Sequence, residues 1–445
     1  MSLSSFNAQN PILMTFSTSP MEVDSGIINL RSLISSGQYE IDPNDELIFQ
    51  KLYKIITDND VCLRIKQHAL ELISEMCQAN PIAKRKFWHT KIQIKLLEYL
   101  SDKNTMINFS TIVDILSMLV EWTSTSMIKL LEMNYLGILI DNLSCNSMSV
   151  LESALNGILH VINNNNINFF KLKINVDDYV KLIFNGLLNF IDSEYLLLDT
   201  TGKTFEILNC IISYMNIDLD ILDKPLKKGL EILRNNDQHK RTSLITTIIS
   251  FFCNCIYNSN EFAYFLIHEG ILDIFHKLLN LNYNDELIIN SLKTISNCSC
   301  ISIQLKSIIA ESPLLADAYE YLKNGSIKVK IESLYFFQNI FNYEFLIQQN
   351  NIAIFDSLPD FFTTLSDILF LEQEKNMVIL SCLQLFFNAI LMYEHFNYPQ
   401  LSPPILSLIK NDGFDEMEAL SFSENKDIVI ISGEILKRIK NSHQL

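Results

Sequence analysis

Glycine and proline are scarce in this chain, at 11 and 10 among 445 residues. Both counts sit far below ordinary usage, which excludes turn-rich all-β and α/β architectures and favours long helices. No glycine loop of the phosphate-binding or dinucleotide-binding kind occurs either. Cations are outnumbered, 34 Lys and Arg against 51 Asp and Glu, for a net charge of −17. A nucleic-acid binder needs clustered cations to neutralise phosphates, so that partner class is excluded. The acidity leaves two readings open, affinity for basic proteins and simple solubility of an apolar chain. No charged-then-apolar leader opens the sequence, and no run of about 18 uninterrupted apolar residues interrupts it, so neither a signal peptide nor a membrane span is expected. The nine cysteines are odd in number and lie scattered in apolar segments, which excludes a disulfide scaffold and implies reduced thiols in a cytoplasmic and nuclear protein. Two Cys-x-Cys pairs, Cys253/Cys255 and Cys298/Cys300, would project from different faces of a helix and make poor chelators. The eight His are dispersed, with no His-Glu-x-x-His among them. The residues therefore predict no catalytic site, no metal and no cofactor.

What the chain does have is apolar side chains in abundance, 48% of the total. A single compact core rarely grows to this length, so a repeat array or several domains is expected. Residues 1–25, rich in Ser, Thr, Asn and Pro, read as a disordered leader. From about Ile27 apolar residues recur with helical spacing and are broken by Asn, Asp or Gly, as from Leu63 to Met76 and from Ile331 to Phe341. Asn163 to Asn166 reads as a polar loop. Two markers then repeat in different phases. An Asn near the end of a long apolar helix recurs at Asn209, Asn254, Asn297, Asn339 and Asn388, at intervals of 45, 43, 42 and 49 residues. The end of a shorter helix recurs at Leu100, Leu143, Ile191, Leu233, Leu279 and Leu322, at intervals of 43, 48, 42, 46 and 43. A period near 44 belongs to helical solenoids, and Gly270, placed to allow a sharp turn before a second helix, selects the armadillo kind. The expected fold is all-α, an armadillo-repeat, right-handed superhelical solenoid of about nine to ten repeats over residues 26–440, with a tail at 441–445.

Stacked repeats place one helix face in register along a groove, so the five Asn form a ladder. Asn offers both donor and acceptor and is able to hold the backbone of an extended peptide. The alternative is that each Asn only satisfies local backbone groups. Four residues before the ladder, on the same face, stand Phe205, Ser250, Lys293, Tyr335 and Gln384. The aromatics Phe205 and Tyr335 would flank the stem of a bound Lys or Arg, or else belong to the core.

On these residues the chain resembles the importin-α family, whose inner helices carry Trp-x-x-x-Asn. The likeness is densest from Lys293–Asn297 through Ile331–Asn339 and Cys382–Asn388. It continues in Asn411–Leu420 and Glu424–Ile439, which look like the family's closing half-repeat. The resemblance implies a nuclear-import adaptor that holds basic localisation signals of cargo proteins, with Asn209, Asn254, Asn297, Asn339, Asn388, Phe205 and Tyr335 as peptide-binding residues. An armadillo scaffold or assembly chaperone with another protein partner is the alternative. No Trp occupies a Trp-x-x-x-Asn position, and in the N-terminal repeats the Asn position falls on Ser74 and Val120. The first 60 residues hold only Arg31, Lys51 and Lys54, so an importin-β-like carrier is not expected to be engaged through a basic N-terminal segment. A basic-signal receptor also requires carboxylates beside the ladder, which a generic scaffold does not.

Overall fold

The computed structural model describes residues 11–39, 42, 46–102, 107–164, 168–191, 198–235, 242–281, 284–348, 352–355, 357–358, 360–371, 376–396, 403–410 and 413–443. Among these the regular structure is entirely helical, and the chain divides into two compact units, Met1–Met215 and Asn216–Leu445. The first unit holds α1 (Pro11–Thr15), α2 (Pro20–Ser35), α3 (Glu46–Thr57), α4 (Leu63–Ala79), α5 (Pro81–His89), α6 (Ile92–Ser101), α7 (Phe109–Val120), α8 (Ser124–Glu132), α9 (Tyr135–Asp141), α10 (Met148–Ile162), α11 (Val176–Ile191) and α12 (Leu198–Ile212). The second holds α13 (Leu219–Arg234), α14 (Thr242–Asn258), α15 (Asn260–His268), α16 (Ile271–Leu279), α17 (Asp285–Ile301), α18 (Ile303–Ala310), α19 (Leu314–Asn324), α20 (Ile327–Ile340), α21 (Tyr343–Gln348), α22 (Phe361–Leu371), α23 (Asn376–His395), α24 (Pro403–Lys410), α25 (Gly413–Leu420) and α26 (Lys426–His443).

A complete repeat is a short helix, a second helix and a third, such as α15, α16 and α17. Third helices pack side by side, α2, α4, α7, α10 and α12 in the first unit and α14, α17, α20, α23 and α26 in the second. Second helices form the other layer. This is the armadillo arrangement, and the ten third helices match the expected repeat number. Local chemistry sets the breaks. Asn284 Oδ1 accepts the Leu287 N–H at 3.1 Å and Ser302 Oγ accepts that of Leu305 at 3.2 Å, while Thr123 and Ser126 form a capping box. Such caps each contribute about 1 kcal/mol. Gly270 has φ 81°, the left-handed turn expected of it, and Lys91 (φ 62°) and Asn134 (φ 64°) make the same turn before α6 and α9.

Burial fixes the rotation of each third helix. Along α4 the pairs Ala69/Leu70, Leu72/Ile73 and Met76/Cys77 are buried, leaving one residue outside between the first two pairs and two between the last two. The same pairs recur in α7, α10, α12, α14, α17, α20 and α23, although in α7 and α17 the first of the two later positions, Ser117 and Ser296, is also buried. It continues the 3.6-residue period through three turns and aligns the helices independently of loop length.

The expected leader over residues 1–25 is corrected from Pro11 onward. Helix α1 folds back on α2, Thr15 is fully buried, and Val23, Gly26 and Ile27 join the core against α4. Residues 1–10 lie outside the described residues. The reason for the close approach is Gly26, where a Cβ would stand 2.7 Å from the Thr15 nitrogen and 2.8 Å from Met14 Cβ. Gly26→Val is expected to lift α1 and destabilise the first unit by about 1–3 kcal/mol. Limited proteolysis should then cut near Phe16 well before it cuts wild type. At the other end α26 runs to His443, past the start of the expected tail. One described helix, α23, is long and apolar enough to cross a membrane by length and composition, with mean hydropathy 1.6 over its best window, and 67% of that window is buried in the protein.

Candidate binding faces of the third helices

The burial rhythm defines two outward rows, most of whose residues are half-buried. The residue between the first two pairs is Glu71, Asp114, Asn156 and Glu206 in the first unit, and Ser250, Lys293, Tyr335 and Gln384 in the second. Four residues later, the second of the two outside positions is Glu75, Met118, His160 and Cys210, then Asn254, Asn297, Asn339 and Asn388. Four of the five expected ladder residues therefore stand in register, all in the second unit.

Asn209 does not. It occupies the slot before the row, equivalent to Cys253 and Ser296, and Cys210 takes the ladder position. A one-residue slip turns a side chain by about 100°. The same slip carries Phe205 into the core, where it is fully buried, so it has no face to offer a peptide. Glu206 is the exposed residue in its place. Val120 is likewise buried, and the ladder position of α7 is Met118. Of the Asn163–Asn166 loop, Asn163 closes α10, and residues 165–167 lie outside the described residues.

In the second unit, α14, α17 and α20 wall a groove of about 490 Å³ lined by Asn254, Asn297, Asn339, Lys293, Glu332, Tyr257 and Tyr335 among others. The ladder Asn also brace the stack. Asn297 Nδ2 donates to Cys253 Sγ at 3.4 Å, Asn339 Nδ2 to Ser296 Oγ at 2.7 Å, and Asn388 Nδ2 to the Phe341 carbonyl at 3.2 Å. Each bridges to the preceding third helix or to the residue that caps it, which is the local role set against peptide binding for these residues. Asn297 and Asn339 keep Oδ1 without a donor among the described residues and line the groove. Asn339→Ala is expected to lower stability by about 1 kcal/mol through the lost bridge to Ser296, measurable as a shift in the urea midpoint without loss of helical signal.

Charge distinguishes the two faces. The groove of the second unit is lined by one cation, Lys293, and one carboxylate, Glu332. Burial pushes the Glu332 carboxyl up, and Lys293 partly opposes this. Tyr335 is half-exposed, its hydroxyl 3.8 Å from Met377 Sδ. The first unit presents carboxylates instead. Glu71 and Glu75 share Arg31, and Glu121, at the end of α7, meets His160 at 3.2 Å and Lys84 at 3.7 Å. Asp114 and Glu206 are exposed and form no ion pair with any described residue. Partial desolvation pushes the Asp114 carboxyl up, with His160 pulling it down. Sequence spacing alone missed this acidic row. The paired apolar rhythm around Glu71, Asp114 and Glu206 is the signal that reveals it.

Four of the cysteines, Cys77, Cys255, Cys298 and Cys382, are buried in the core, whereas Cys62 and Cys300 are exposed. All nine are free thiols, and burial pushes Cys77 and Cys298 up to about 12. Among the described residues no group of three or more His, Cys, Asp or Glu is placed to hold a metal.

No protein-family model matches the chain, and no curated protein sequence does. Solved structures do match. An engineered protein solved by the Northeast Structural Genomics Consortium has a TM-score of 0.70 at 13% identity, over 97% of this chain and 98% of its own. A designed armadillo repeat protein gives 0.45 at 15% identity, over 55% of this chain and 98% of its own. At these identities the likeness to the engineered protein speaks for the fold alone.

Proposed function

We propose that this armadillo-type scaffold binds an extended basic segment of a partner protein along the third-helix face of its first unit, in the manner of a nuclear-import adaptor. Armadillo solenoids are protein-binding scaffolds by construction, because in-register helix faces form a long continuous surface. The observation that carries the finer reading is the row Glu71, Asp114, Asn156 and Glu206, three carboxylates at one position of successive third helices. Glu71 and Asp114 lie one repeat apart and Glu206 two repeats beyond, with Asn156 between, so they offer separate seats for Lys or Arg side chains of an extended chain. Arg31 and Lys84 offset part of this charge at Glu71, Glu75 and Glu121, His160 lies beside Asp114, and Glu206 forms no ion pair with any described residue. The Asn ladder of the second unit, expected to be the basic-signal site, lacks carboxylates in its row and is the weaker candidate.

The test is titration of a fluorescently labelled basic localisation peptide into the full chain and into a Glu71→Gln/Asp114→Asn/Glu206→Gln variant. Saturable binding that the variant loses supports the reading. A folded wild-type protein that does not bind leaves a scaffold for some other partner class.

A further inference from the structure

The groove of the second unit has a composition that the basic-segment reading does not use. Its lining is rich in amides, with Asn254, Asn290, Asn297, Asn339 and Gln338 spread over three helices. In the midst of them Lys293 is exposed, and its ammonium makes neither hydrogen bond nor ion pair with any described residue. Glu332, the single carboxylate, is half-buried one turn toward the N-terminal end of the neighbouring helix and lies beyond ion-pair distance of Lys293. Tyr257 is 85% exposed, and Tyr335 stands half-exposed across the groove.

We infer that this groove is a second docking site, for an extended polypeptide segment of a partner that seats an Asp or Glu side chain on Lys293. The amides supply donors and acceptors to the segment's backbone, which is sequence-independent recognition. Lys293 supplies the selectivity. An entering Lys or Arg meets the exposed ammonium before it reaches the half-buried Glu332, so a basic segment is repelled where an acidic one is drawn in. Tyr257 and Tyr335 offer apolar, weakly polar walls at two corners of the groove, suited to contact with side chains of either charge. The two units thus carry docking faces of opposite preference, and this second site stands whether or not the first unit binds basic peptides.

The experiment is a panning of a displayed library of random peptides, about twelve residues long, on the full chain and on Lys293→Glu. Wild type is expected to enrich Asp and Glu at one register, and the charge-reversed protein is expected to enrich Lys or Arg at that register instead. A selected acidic peptide should then bind Lys293→Gln about tenfold more weakly than wild type. It should also lose affinity for the Asn254→Ala/Asn297→Ala/Asn339→Ala variant, while Glu71→Gln/Asp114→Asn/Glu206→Gln leaves it unchanged. Lys293 is exposed, so helical circular dichroism of its variants should match wild type. Selection without acidic enrichment, or an acidic peptide whose affinity ignores Lys293, would overturn the proposal. So would an acidic peptide bound equally by the Asn variant, which would place its site elsewhere.

Discussion

Glu71→Gln, Asp114→Asn and Glu206→Gln together are expected to weaken binding of a basic localisation peptide at least about tenfold, from two exposed ion pairs of roughly 0.7 kcal/mol each at Asp114 and Glu206, with Glu71, already paired with Arg31, adding less. The substitutions preserve size and helix propensity. Asp114 and Glu206 form no ion pair within the described protein, so their loss should leave the fold unchanged. Two further dependences distinguish an electrostatic site from a merely sticky one. Affinity should fall as salt is raised, because the seats are solvent-exposed and screened over about 10 Å at 0.1 M. It should also fall on acidification. A carboxylate attracts a cation only while ionised, and the Asp114 carboxyl is pushed up, so its share of the attraction is lost at a higher pH than for an ordinary Asp. The Asn254→Ala/Asn297→Ala/Asn339→Ala variant is the comparator and should bind the basic peptide like wild type. If that variant loses the peptide while the charge variant keeps it, the acidic row is irrelevant and the ladder is the basic-signal site after all.

Phe337→Ala should be among the most damaging single substitutions in the second unit. Phe337 is fully buried, with ring centroids 5.0 Å from Phe361, and 5.4 Å from each of Phe336 and Phe341. Phe341 in turn packs 4.7 Å from Phe355, so one truncation leaves a void in the middle of an aromatic cluster joining α20, α22 and the chain between them. The loss is about 3–5 kcal/mol, lost burial plus a cavity that rigid rings fill poorly. Phe337→Leu, which keeps most of the volume, should cost well under half of that. Because repeats contact only their neighbours, the damage should be local at first. Hydrogen exchange should quicken in α20, α22 and α23 while the third helices of the first unit keep their protection. A Phe337→Ala urea midpoint within error of wild type would mean that the cluster is far looser than its geometry.

The period of the array was legible because it is written twice, in the Asn and in the second-helix ends, and the Gly270 turn named its kind. What spacing failed to give was rotation. The interval of 45 residues between Asn209 and Asn254 looks like one repeat, but the buried pairs Ile207/Leu208 and Phe251/Phe252 are 44 apart. Within α12 itself Asn209 stands one position before the row, and Phe205 falls in the buried pair Thr204/Phe205, so an interval of ordinary length conceals a change of face. Loops absorb insertions freely, so marker spacing is good to a residue or two, whereas a helix face is lost at one. The acidic row was obscured for a related reason. Exposed Glu and Asp are ordinary on any helix, and only their common phase against buried pairs sets Glu71, Asp114 and Glu206 apart. The leader misled through composition. Pro20 reads as a breaker but opens α2 at its first position, where a missing N–H does no harm, and Gly26 reads as a turn but allows two helices to touch.

Helix α23 has a consequence for how the chain is made. Its apolar length is covered on one side by α20 and α22, which precede it in the chain, and on another by α26, which follows. During synthesis from the N-terminus the following partner does not yet exist. For that interval the nascent chain displays a long greasy helix with half its cover missing, the kind of segment that chaperones hold and that membrane-targeting factors survey. Helix α26 therefore acts as a seal on biogenesis as well as a neighbour in the stack. Chains that stop short of α26 should be cleared or misrouted at a rate out of proportion to the few residues they lack.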